Sequence, residues 1–163
     1  MPFPDDLLAA NAAFADAFAA GGLPRPPRRP LAILTCIDAR IEPLRLLGLG
    51  LGDASVLRNA GARATDDVVR SLVVARGLLG VREVLVLGHT DCGLEGVSSD
   101  EIRERILQKG GPDVQAMDLE PFPEVEEAVR EAVGRLAGEP LLAGLATAGA
   151  VHEVATGRVR NVG

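Results

Sequence analysis

Leu31-Ala32-Ile33-Leu34-Thr35-Cys36-Ile37-Asp38-Ala39-Arg40 decides how this chain is read, because an apolar run ends there in a cluster of reactive side chains. A short apolar run of this kind reads as a buried strand. A second stretch has the same design: Val84-Leu85-Val86-Leu87 leads into Gly88-His89-Thr90-Asp91-Cys92-Gly93. If the two strands lie side by side and parallel, their carboxyl ends bring Cys36, His89 and Cys92 to one point. That edge of an open α/β sheet is where ligands bind. Two thiolates and one imidazole form a soft, tetrahedral donor set that suits zinc, with one position left for water or Asp38.

The rest of the chain builds a sheet around these runs. A second strand is expected over 54–58, ending at Asn59-Ala60-Gly61. Short and long helices are expected around 43–47 and 66–79, the latter capped by Thr65 with Asp66 and Asp67 in its first turn. The β-α-β-α-β order implies parallel strands joined by right-handed crossovers. Helices follow at about 99–108 and 123–137, then a strand at 148–154 and a turn at Ala155-Thr156-Gly157 into 158–162. The expected fold is α/β: a mainly parallel central β-sheet flanked by helices, with a C-terminal antiparallel hairpin at its edge. Gly48 to Gly52 lacks the Lys-Ser/Thr ending of a phosphate loop and reads as a turn.

Upstream, residues 1–22 read as a helical arm whose helix covers 5 to about 20, with Leu7, Leu8, Phe14 and Phe18 as an apolar stripe for its own domain or a partner subunit. Residues 23–30 form a stiff proline-rich linker. With 163 residues, no repeat and no composition break, residues 1–163 are expected to form a single domain.

Composition excludes several function classes. A net charge of −6 repels a phosphate backbone, so no nucleic-acid partner is expected. No apolar run approaches the roughly 18 residues of a membrane helix, and the first six residues lack a secretory pattern. A cytoplasmic location follows by default. Two cysteines do not make a disulfide framework. With no Trp or Tyr and only four Phe, a substrate pocket must be lined mainly by aliphatic groups.

Each candidate residue also has a plain reading. Cys36 and Cys92 could be buried free thiols or a redox pair, and His89 a structural histidine, but the two-residue gap from His89 to Cys92 favours ligands. Asp38 and Arg40 could be a surface ion pair worth about 0–1 kcal/mol. Their places two and four residues beyond Cys36 favour catalytic work: on an extended chain all three share one side. Asp38 would then reach the open metal position as a fourth ligand in a closed state, or pair with the fork of Arg40. Held by Arg40, Asp38 would stay off the metal, accept a hydrogen bond from the activated water and aim its lone pair at the substrate. Asp91 reads as a turn cap. Asn59 and Gly61 are candidates for supporting the ligands from behind, Gly61 by permitting close backbone approach. His152, the other histidine, reads as structural, leaving buffer or a water chain to carry the proton away.

Cys36-Ile37-Asp38-Ala39-Arg40, Arg58-Asn59-Ala60-Gly61 and His89-Thr90-Asp91-Cys92-Gly93 together resemble a β-class carbonic anhydrase of the short bacterial form. The 52 residues between Cys36 and His89 fit that pattern, as do the helix start at Thr65 and the Val154-Ala155-Thr156-Gly157 hairpin. The resemblance covers about 25–163. It implies zinc on Cys36, His89 and Cys92, an Asp38–Arg40 gating dyad, a homodimer or larger assembly, and reversible hydration of carbon dioxide to bicarbonate and a proton. Relatives with the same ligands hydrolyse carbonyl sulfide or carbon disulfide, and a non-catalytic structural zinc module is the alternative outside enzymes. Two thiolates cancel the charge of the zinc, so activity is expected to need somewhat alkaline conditions.

Overall fold

A computed structural model describes residues 3–163; residues 1 and 2 of the expected arm lie outside the described residues. Five strands form one sheet: β1 (Leu31–Cys36), β2 (Ser55–Asn59), β3 (Glu83–His89), β4 (Ala146–His152) and β5 (Val159–Val162). Their order is β2-β1-β3-β4-β5. The first four are parallel, and β5 runs antiparallel to β4 at the edge, as the sequence implied. The chain leaves β1 towards β2 on one side and returns to β3 on the other. The carboxyl ends of β1 and β3 therefore flank the point where the strand order reverses.

Alternation along β1 explains the two layers. Ala32, Leu34 and Cys36 join Val84 and Val86 of β3 in a large core beneath α3 (Asp66–Leu79) and α5 (Val125–Gly138). Ile33 points the other way, with Leu87 and Ala150, into a smaller core covered by Leu44, Leu46, Leu47 and Leu49 around α2 (Pro43–Leu46). Such near-continuous apolar strands are what a sheet covered on both faces requires. Helix α5 lies unusually close to the sheet. A Cβ added at Gly88 would meet Val129 Cγ2 at 2.6 Å and Val125 Cγ2 at 2.9 Å.

Local signals account for most boundaries. Thr65 Oγ1 accepts from the Val68 amide at the start of α3. Ser98 and Glu101 form a reciprocal capping box at the start of α4 (Ser99–Gln108). Helix α5 begins at Val125 rather than 123: Glu124 is still extended, and the Glu95 carboxylate accepts from the Val125 amide as a cap. Strand β4 ends at His152, two residues before its expected end. Glu153 instead anchors the turn, its carbonyl accepting from the Gly157 amide. Gly48 and Gly52 take positive φ, and the Asp53 carboxylate accepts from the Gly50 amide, so Gly48 to Gly52 is a turn.

Helix α1 (Asp5–Asp16) stops four residues before its expected end and has no buried residue. Leu7, Leu8, Phe14 and Phe18 are 51%, 54%, 61% and 44% exposed, so within one subunit the arm's apolar stripe stays open to water apart from the stacking of Phe14 on Phe18. The proline-rich linker is tied down: Arg28 and Arg29 amides donate to the carbonyls of Gly52 and Asp53, and the Arg28 guanidinium pairs with Asp53 at 2.7 Å. No helix among the described residues is long and apolar enough to cross a membrane.

Candidate metal centre

Register creates the site. Thr35 stands opposite Leu87, so β1 and β3 end within a residue of one another, with Cys36 and His89 at their tips. The loop after β3 then returns Cys92. Cys36, His89 and Cys92 are all buried, and their donor atoms lie within 4.8 Å of one another. The His89 Nδ1–H donates to the Thr90 carbonyl at 3.0 Å. That fixes the lone pair on Nε2, which is buried without a hydrogen-bond partner. An orphaned imidazole lone pair beside two thiols fits a soft divalent cation.

The electrostatics agree. The Cys92 thiol beside Cys36 pulls the Cys36 pKa down to about 3, despite opposing burial, with His89 and the Gly61 amide assisting. Cys92 is pushed up in turn by Cys36 and by burial. Burial works to lower the His89 pKa, yet the Cys36 thiolate carries it above the ordinary imidazole value. The Cys36 thiolate places a negative charge within the cluster, which favours a cation there.

The loops supply the remaining geometry. The Asp38 carboxylate accepts from Arg40 Nη2 at 2.7 Å, Arg40 Nε at 3.0 Å and the Arg40 amide at 2.9 Å. These bonds hold Asp38 well below the usual carboxylate range. Gly61 is a direct neighbour of the ligands: its amide donates to Cys36 Sγ at 3.4 Å. It has φ of +75°, and a Cβ there would press on Leu94 and Phe122. Asn59 supports the site at one remove. Its side chain donates to the Arg63 carbonyl and accepts from the Arg63 amide, closing the loop that carries Gly61. A cleft of about 290 Å³ opens against Cys36, Asp38, Gly61 and Cys92, its apolar wall made by Ile37, Ala60 and Leu94.

Two side chains have larger parts than the sequence reading assigned them. Arg58 donates to the carbonyls of Cys36 at 2.8 Å and Asp38 at 2.6 Å, fastening the backbone between those two residues. A cation at the tip of a strand next to β1 was the available signal. Asp91 was expected to cap the turn, but its carboxylate instead pairs with Arg40 at 2.7 Å and accepts from no turn amide among the described residues. His152 is buried opposite His89 in the sheet register. Burial, then repulsion from His89, lowers its pKa, so it is neutral at pH 7 and fits its structural reading.

An open, mainly parallel sheet carries a buried Cys-His-Cys cluster beside a cleft at its reversal point, an arrangement that could hold a metal ion. The carbonic anhydrase family profile matches residues 31–159, and the chain belongs to that family, in its β class. It is 39% identical to Beta-carbonic anhydrase 1 of Mycobacterium tuberculosis (strain H37Rv) over 163 residues, 99% of each chain. The crystal structure of the carbonic anhydrase from Streptococcus mutans matches at a TM-score of 0.92 and 42% identity, covering 100% of both chains. A carbon disulfide hydrolase of Saccharolobus solfataricus is 41% identical over 85 residues, 52% of this chain and 42% of that one.

Proposed function

We propose that this carbonic anhydrase hydrates carbon dioxide to bicarbonate and a proton with zinc held by Cys36, His89 and Cys92. The observation that carries the reading is the buried donor triad with an unpartnered His89 Nε2, opening on a small apolar cleft. Bound there, zinc supplies the Lewis acidity that makes water nucleophilic near neutral pH. The chain's own residues do the rest. Asp38, kept ionised and turned aside by Arg40, would accept a hydrogen bond from the nucleophile and orient it. Gly61 steadies the Cys36 sulfur, and Arg58 fixes the backbone from Cys36 to Asp38. Ile37, Ala60 and Leu94 offer an apolar wall to a linear, uncharged substrate.

A second reading, hydrolysis of carbon disulfide or carbonyl sulfide, is favoured by the partial match to the Saccharolobus enzyme. The full-length match to the mycobacterial anhydrase supports carbon dioxide more strongly. The working unit is a homodimer or larger assembly, which the roughly half-exposed apolar stripe of the arm supports. A cytoplasmic setting suits two cysteines that must stay reduced to serve as ligands.

Stopped-flow hydration by the zinc-loaded protein, with carbon disulfide and carbonyl sulfide assayed beside it, tests the substrate. Carbon dioxide turnover should rise from neutral to alkaline pH and vanish on chelation, with the far-ultraviolet circular dichroism unchanged. Loss of fold on chelation would instead favour the structural zinc module.

A further inference from the structure

Arg40 is held by more than its dyad partner. Its Nε and Nη2 meet the two oxygens of Asp38. From the other edge, Nη1 donates to Asp91 Oδ2 at 2.7 Å and Nη2 to the Asp91 carbonyl at 3.0 Å. Four of the five guanidinium donors are therefore committed, two to each aspartate. Asp38 follows β1 and Asp91 follows β3, so Arg40 ties together the two loops that carry the donors.

Asp91 reaches this position through its backbone. It stands between His89 and Cys92 with φ of +59°, a left-handed conformation that Asp and Asn tolerate better than most side chains. That turn presents both the carbonyl and the carboxylate of one residue to Arg40. The carboxylate is otherwise open to water, its side chain 80% exposed, and among the described residues it has no other hydrogen-bond partner.

We propose that Asp91 is a positioning residue for the hydration site: it anchors Arg40, and through Arg40 it keeps Asp38 from swinging onto the metal. This rests on the zinc reading above. Without the Asp91 anchor, Arg40 is held only by Asp38 and its own loop, so the pair opens more readily and Asp38 can turn to add a fourth protein ligand. Asp91→Gly removes the carboxylate while keeping a residue suited to positive φ. Asp91→Asn keeps an acceptor oxygen and the left-handed preference, and should sit between the wild type and Asp91→Gly.

The test is the rate at which zinc-loaded protein releases its metal to excess chelator, read beside kcat and KM. Asp91→Gly should release zinc more slowly, by up to about threefold, the limit set by losing one exposed charge pair. kcat should fall by a similar factor, with KM unchanged. Asp38→Asn in the Asp91→Gly background should restore the wild-type release rate. A merely structural role for Asp91 predicts the opposite, since a loosened site loses its metal faster. Release that is unchanged or faster in Asp91→Gly, or slowing that survives Asp38→Asn, overturns the proposal. Zinc-loaded protein that hydrates no carbon dioxide would sink the substrate reading while the release rates still decide this one; wild-type protein that takes up no zinc overturns both.

Discussion

The carboxyl edge of the sheet and the N-terminal arm both carry conspicuous apolar residues, and the structure uses them in opposite ways. At the edge, Leu34, Val86 and Leu87 are fully buried, and they carry Cys36 and His89 into one pocket. In the arm, Leu7, Leu8 and Phe14 are more than half exposed, and α1 buries nothing. The difference lies in neighbours. A strand between two parallel strands has its backbone paired on both sides and its side chains packed above and below. A helix joined to the sheet by a stiff linker has only its own intrahelical bonds, and helix propensity alone is a weak source of stability.

Glycine substitutions give the largest contrast between the two regions. Gly88→Ala at the edge should destabilise the protein by about 1–3 kcal/mol, because its methyl would drive into Val129 and Val125 and force α5 outward. Gly22→Ala in the arm meets nothing within 4 Å and should leave stability within about 0.5 kcal/mol of the wild type. Urea unfolding of both variants checks this. Equal effects would mean that the close approach of α5 does not constrain the sheet edge.

The same contrast explains what could be read from the sequence. Apolar runs ending in Cys36 and His89 announced parallel strands that meet at those residues, because burial on both faces leaves a continuous apolar signature. The Ser98 capping box and the Thr65 cap marked helix starts through local chemistry. What escaped notice depends on contacts distant in sequence. Arg58 reaches the Cys36 carbonyl across 22 residues, and Arg40 reaches Asp91 across 51. No periodicity encodes such contacts. The end of α1 at Asp16 was hidden for a different reason: the alanine-rich stretch continues the helical pattern, and no packing exists to extend it.

A smaller effect separates the dyad from the core beneath it. Arg40 lowers the Asp38 pKa, so their pair contributes stability that is fully present above the ordinary value of 3.8 and is lost as pH falls through the lower folded value. The melting-temperature difference between wild type and Arg40→Met should therefore stay constant from pH 8 to about 5 and narrow below about pH 4. Its plateau should be small, since Arg40 is nearly half exposed and water screens the pair. A difference that shrinks already between pH 7 and 5 would show that a different group controls it.

The smallest effect on the subunit itself should come from removing the arm, and it is the most informative about assembly. With no residue of α1 buried, a variant starting at Gly21 should unfold at high dilution with a free energy within about 0.5 kcal/mol of the full chain. Leu7, Leu8, Phe14 and Phe18 nonetheless expose enough apolar surface that a partner covering it would gain roughly 25 cal/mol for each Å² buried. Deletion should thus spare the subunit and weaken its self-association, seen by sedimentation velocity as dissociation at higher protein concentration. Association that survives the deletion unchanged would place the interface on the sheet and helices, and would leave the arm's apolar stripe without a role in assembly. Subunit stability that falls with the arm would mean that α1 does pack on its own sheet in solution, reversing the contrast between the two regions.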